Sequence, residues 1–124
     1  TTGVRPSSAA RPKQKMRIVD CHVHTDGAVE PSDVLRAMDA NGVERCLVMS
    51  GCERESLEMS KQRLLETQKL VSTAPERLGG LAWFNPTIEG SADLAEEALT
   101  DLGFTGIKII PDHWYATEER LEPF

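Results

Sequence analysis

A chain of 124 residues that is 40% apolar and 27% charged is long enough for one domain with its own core, and it is composed like a globular protein. No apolar run approaches the roughly 18 to 20 residues that cross a bilayer, and the N-terminus lacks the apolar stretch of a secretory signal. The sequence therefore predicts a cytoplasmic protein with no membrane partner.

The charge is unevenly placed. Residues 1–17 carry Arg5, Arg11, Lys13, Lys15 and Arg17 with no acid, and the other 107 residues hold 9 basic against 20 acidic groups, a net charge of −11. Residues 1–16 read as a disordered basic leader, because Pro, Ser and charge stand there without apolar periodicity. An acidic body disfavours a polyanionic partner, so no nucleic acid is expected. Cys21, Cys46 and Cys52 are odd in number and form no C-x-x-C pair, so neither a disulfide framework nor a zinc knuckle is indicated and reduced thiols are expected.

From residue 17 short β-rich runs alternate with helical ones. Strand one is expected over Arg17 to His24. A helix follows in "PSDVLRAMDANG", with Ser32 as N-cap and Asn41-Gly42 as its stop. Strand two spans Glu44 to Met49. The second helix runs from about Glu55 to Thr73, with Leu57, Leu64, Leu65 and Val71 on one face and Pro75 beyond it. Strand three is Leu78 to Phe84. Helix three is Ser91 to Leu102, with Leu94, Ala95, Ala98, Leu99 and Leu102 on its apolar stripe before Gly103. Strand four is Gly106 to Ile110, closed by Pro111.

Four strands separated by helices form the rhythm of successive βα units and a parallel sheet. A doubly wound open sheet and a (β/α)8 barrel share that rhythm, and both bind ligands at the carboxyl ends of the strands. Strict alternation along "IVDCHVHT" puts Asp20, His22 and His24 on one face and Val19, Cys21 and Val23 on the other. Lone histidines are usually satisfied core or surface residues. An H-x-H pair closing an apolar strand suggests instead two imidazoles converging on a metal, with Asp20 a layer deeper to orient a ring or touch the ion.

In the same way Lys108, alternating with Ile107 and Ile109, is expected to enter the lumen. It could bind a substrate carboxylate or pair with Asp20. His113, Trp114 and Tyr115 follow strand four on a rim loop; His113 and Trp114 are candidates for substrate contact, with aromatic packing as the plainer alternative. Asn85 and Ser50-Gly51, at the ends of strands three and two, read as ordinary loop residues.

At this point the sequence resembles the amidohydrolase superfamily, whose metal-dependent hydrolases carry H-x-H at the end of the first barrel strand. The stretches "IVDCHVHTDG", "VLRAMDANGVERCLVM", "APERLGGLAWFNP" and "ADLAEEALTDLGFTGIKIIP" resemble, in order, the first four βα units of the amidohydrolase-related group that includes 2-amino-3-carboxymuconate-semialdehyde decarboxylase. The resemblance covers residues 17–124. It implies the N-terminal half of a (β/α)8 TIM barrel and a divalent metal, usually zinc. His22 and His24 would bind that ion together with histidines of strands five and six and an aspartate of strand eight. Some members of the superfamily carry a strand-four lysine that bridges two metals, and a bridging role for Lys108 is what the resemblance alone would imply. It further implies that metal-bound water attacks an amide, ester or lactone carbonyl of a small molecule, the strand-eight aspartate shuttling the proton. The alternative within the group is decarboxylation of a carboxylate substrate.

Those later strands would follow Phe124, so the catalytic residues are expected beyond Phe124. The sequence also begins at Thr1, and a truncated chain is expected. Two ligands alone predict weak or absent zinc binding and no catalysis by the 124 residues themselves. Two open sheet edges and one uncovered face predict association, hence a homo-oligomer. Two rivals fit less well. PHP-type phosphoesterases share H-x-H-T but would be expected to show T-D-H where this chain has "LVMSG". A small doubly wound binding domain would be favoured by a glycine-rich phosphate loop, and "HTDGAVEPSD" is not one.

Overall fold

The computed structural model describes residue 3 and residues 16–25, 29–50, 56–111, 114, 117 and 119–124. The proposed leader lies almost wholly outside them, as do Gly51, Cys52, His113 and Tyr115. The elements run β1 (Ile18–Thr25), α1 (Pro31–Ala40), β2 (Val43–Ser50), α2 (Leu57–Ser72), β3 (Leu78–Trp83), α3 (Ser91–Thr100) and β4 (Gly106–Lys108), followed by a short 3-10 turn at Glu119–Leu121. Strands pair in the order β1-β2-β3-β4, and all three pairings are parallel. Parallel neighbours require a crossover, and the three helices supply it.

Helix ends follow local chemistry. Gly42 and Gly103 adopt φ of 67° and 73° just beyond α1 and α3, the left-handed conformation that glycine enters without a Cβ clash. The side chain of Ser56 accepts from the Met59 amide at 3.2 Å and caps α2. Ser32 is not a cap: Glu30 precedes α1 and Pro31 takes its first turn, where a missing N–H costs nothing.

One face of the sheet carries the core. Met38 of α1, Cys46 and Val48 of β2, Leu70 of α2 and Leu78 of β3 form one cluster. Leu64 of α2, Ala82 of β3, Leu94 and Ala98 of α3, with Phe84 and Phe104, form a second. Leu65 and Leu99 are exposed at 43% and 44%, against expectation. The buried stripe of α2 is instead Ser60, Leu64, Thr67 and Leu70. Its polar members find partners: Thr67 hydrogen-bonds the buried Ser50 hydroxyl at the end of β2, and Ser60 Oγ donates to the Ser56 carbonyl at 3.1 Å.

At the other end of the strands, Arg77 joins three elements. Its Nε donates to the Glu44 carbonyl at 2.7 Å, and Nη2 donates to the Val43 carbonyl at 3.1 Å and to Asp39 Oδ1 at 2.8 Å. The "PER" stretch before β3 thus ties the tail of α1 to the start of β2. Among the described residues no helix is long and apolar enough to cross a membrane.

Candidate metal centre

The pairing of β1 with β2 decides which side chains reach the carboxyl rim. Asp20 pairs with Cys46 and Val23 with Val48, so β1 spends three steps where β2 spends two. This irregularity is a bulge, and it breaks the alternation that would put Asp20 in phase with both histidines. Cys46 and Val48 belong to the helix-side core. Asp20 by its register lies with Cys46, and it lines a cleft beside α1 with Val23, Val34 and Met38 that His24 also borders. Its Oδ1 accepts the His22 backbone N–H at 3.0 Å, so the carboxylate braces the bulge through the main chain. The expectation that Asp20 shares the histidine face is corrected on this ground.

Beyond the bulge the rings of His22 and His24 converge, with Nε2 to Nε2 at 2.8 Å and ring centroids 4.8 Å apart. His24 pairs with Met49, one residue on from Val48, and thus lies on the face opposite the helices. The same face of β3 and β4 carries Trp83 and Lys108, which are register partners, while their neighbours Ala82 and Ile107 pack toward the helices. Trp83 meets His24 edge-on, centroids 4.8 Å apart and planes at 68°. The His24 imidazole is held below its ordinary range, first by partial desolvation and then by the charges of His22 and Lys108. A lowered pKa leaves the ring neutral near pH 7, the form that ligates metal.

The rim therefore brings together His22, His24, Trp83 and Lys108. Trp83 was not singled out from the sequence, although its alternation with Ala82 and Phe84 was the available signal. Trp114 is buried, 7% exposed, and His113 lies outside the described residues. Asn85 is buried at the end of β3, where its Oδ1 accepts from the Thr87 N–H at 2.9 Å and the Thr87 hydroxyl at 2.7 Å. The catalytic residues expected beyond Phe124 are likewise outside the described residues. The Phe124 ring, 45% exposed, tilts against Phe84 directly after β3, with centroids 5.7 Å apart.

Two unprotonated ring nitrogens cannot rest 2.8 Å apart without a shared proton or cation. Two nitrogens on one tetrahedral zinc, each about 2.0 to 2.1 Å from it, lie about 3.3 Å apart, so small ring rotations adapt the pair to an ion. The donor chemistry fits a divalent metal with imidazole ligands. Among the described residues no third His, Cys, Asp or Glu completes a group of three.

No family model matches the chain, and no curated protein matches it. Solved structures do. A 5-carboxyvanillate decarboxylase from Novosphingobium aromaticivorans, with bound manganese and 3-methoxy-4-hydroxy-5-nitrobenzoic acid, superposes with a TM-score of 0.71 at 14% identity, over 90% of this chain and 48% of that one. A 2,6-dihydroxybenzoate decarboxylase complexed with 2,6-dihydroxybenzoate gives a TM-score of 0.65 at 15% identity, over 87% and 46%. A probable 2-pyrone-4,6-dicarboxylic acid hydrolase from Acinetobacter baumannii, with citric acid bound, gives 0.50 at 14%, over 86% and 43%. The chain thus spans just under half the length of the structures it matches. These neighbours are amidohydrolase-superfamily decarboxylases and hydrolases, and the fold of this chain is that of part of their TIM barrel, four parallel strands with alternating helices.

Proposed function

We propose that this chain is the N-terminal half of a metal-dependent enzyme of the amidohydrolase superfamily that acts on a small carboxylate, with decarboxylation ahead of hydrolysis. The observation that carries the reading is the 2.8 Å approach of His22 Nε2 and His24 Nε2. It occurs at the carboxyl rim of a parallel sheet, where α/β folds bind their ligands. His22 and His24 would hold the ion, and its remaining ligands would come from outside the described residues. A divalent ion bound there supplies a Lewis acid and lowers the pKa of water toward neutrality.

Zinc is the proposed metal, since imidazole suits it well. Manganese is its competitor, because the 5-carboxyvanillate decarboxylase carries manganese. The chain's own residues contribute charge and shape. Lys108 offers a cation to a carboxylate, and the Trp83 ring walls one side of the rim and keeps water from His24. A cation beside an aromatic wall suits a planar, anionic substrate, and two of the similar structures hold benzoate-type acids. Hydrolysis of an ester, amide or lactone is the second reading, favoured by the likeness to the probable dicarboxylic acid hydrolase.

The test uses the protein that carries the remaining ligands, loaded with zinc or manganese. Release of carbon dioxide from hydroxybenzoates should depend on metal and be lost in His24→Ala, while Lys108→Met should raise KM more than it lowers kcat. Metal-dependent hydrolysis without decarboxylation would select the second reading, and turnover indifferent to His24→Ala would overturn both.

A further inference from the structure

We propose that Asp20 is a positioning residue for the metal centre: its carboxylate pins a local register slip in β1 that holds the His22 ring against His24. Ile18 and Val23 stand five residues apart, and so do their partners Val43 and Val48, so both ends of the strand share one register. Between them Val19 pairs with Arg45 and Asp20 with Cys46, one residue ahead of that register, and the pairing then passes over Cys21 and His22. Two opposite irregularities therefore bracket a short slipped segment. The first skips Glu44 on β2, and the second takes up an extra residue on β1.

Each irregularity has its own lock. At the first, Arg17 grips the Glu44 carboxylate at 2.7 and 2.8 Å, and Arg77 Nε donates to the Glu44 carbonyl at 2.7 Å. At the second, Asp20 Oδ1 accepts the His22 backbone N–H at 3.0 Å and so gives that donor a partner within its own strand. Asp and Asn make this bond to the amide two residues on readily, whereas Ser and Thr make it more weakly.

The carboxylate is placed to act through the main chain and not on the ion. Its register partner Cys46 belongs to the helix-side core, and the Cys46 thiol is pushed up first by burial and then by the Asp20 charge. Without the slip, position 20 would lie opposite Arg45 and its side chain would turn to the other face, because one step of register reverses every side chain. The slip thus turns a carboxylate away from the imidazole pair and onto the His22 amide. His22 Nε2 then lies 2.8 Å from His24 Nε2, while the Trp83 ring holds His24 from the other side. Each ring of the pair has its own anchor. The role of Asp20 toward an ion rests on the reading of His22 and His24 as ligands, whereas its hold on the His22 main chain does not.

Asp20→Asn, Asp20→Ser and Asp20→Ala respectively keep, weaken and remove the acceptor, and they test the role in the protein that carries the remaining ligands. Competition with a zinc chelator should leave Asp20→Asn within about threefold of the parent affinity and weaken Asp20→Ala by about 10- to 100-fold, the usual effect of losing an outer partner of a metal-bound histidine, with Asp20→Ser between them. Amide hydrogen exchange at His22 in the metal-free protein should follow the same order, slow in the parent and Asp20→Asn and fastest in Asp20→Ala. The Asn and Ser variants carry the comparison if the Ala variant does not fold. Equal zinc affinity in all variants, or His22 exchange that ignores the acceptor, overturns the positioning role. Asp20→Asn as weak as Asp20→Ala also overturns it, since the charge and not the acceptor would then matter. Zinc bound by none of the four proteins, with the exchange order intact, overturns the ligand reading and leaves the hold of Asp20 on His22 supported.

Discussion

His24 stands edge-on to Trp83 with ring centroids 4.8 Å apart, so the second histidine of β1 is fixed by an aromatic side chain from two strands away. Desolvation is the largest cause of its lowered pKa, and the charge of Lys108 adds to it. Trp83→Ala and Lys108→Met should each raise the His24 pKa toward the ordinary imidazole value, as read from its ring resonances in an NMR pH titration. The linkage has a definite sign. Because the folded-state pKa is depressed, His24 contributes its full stability above the unfolded value of about 6.5, and that stability is lost as pH falls through the folded pKa. Both variants should flatten this loss. An unaltered His24 titration in both would contradict the assignment.

Arg77 makes charged hydrogen bonds to two backbone carbonyls and to Asp39 at the rim opposite the histidines. Arg77→Met leaves those carbonyls without their donor and should cost about 1.5 to 3 kcal/mol in urea unfolding. Arg77→Lys should recover only part of that, because an ammonium lacks the fork that spans the carbonyls and the carboxylate. The rings at the far rim should keep their NMR shifts. A loss below about 0.5 kcal/mol would show that the clamp does not hold the fold.

Gly80 lies where β3 is squeezed against the segment leading into β4. A Cβ there would sit 2.9 Å from Phe104 Cδ1 and 3.0 Å from Cε1, and the ring is itself buried. Gly80→Ala should therefore destabilise by about 1 to 3 kcal/mol through overpacking. Adding Phe104→Leu should restore part of the loss, a coupling that a double-mutant cycle measures. Strictly additive effects would mean that Phe104 is not what excludes the methyl group.

The rhythm of the fold was legible because helix and strand periods are local: all four strands and three helices fall within a few residues of their expected spans. The paired His22 and His24 were legible for the same reason. Asp20 was misplaced because the bulge is made by pairing with β2 and by a carboxylate turned back on the His22 amide, neither of which alternation encodes. Leu65 and Leu99 were placed on the apolar faces by helical spacing, yet they stand at the exposed margin of their helices. The buried stripe of α2 instead admits Ser60 and Thr67, because Ser50 from β2 meets Thr67 there. Trp83 became a site residue only when the register set it beside His24 and opposite Lys108.

The most direct test follows the His22 and His24 imidazole nitrogens, by 15N NMR during zinc titration at pH 7.5, in the protein that carries the remaining ligands. The account predicts that His22 Nε2 and His24 Nε2 take the shift of coordinated nitrogen, together and at the same zinc concentration. Zinc that leaves both resonances in place, or that shifts His113 first, would contradict it.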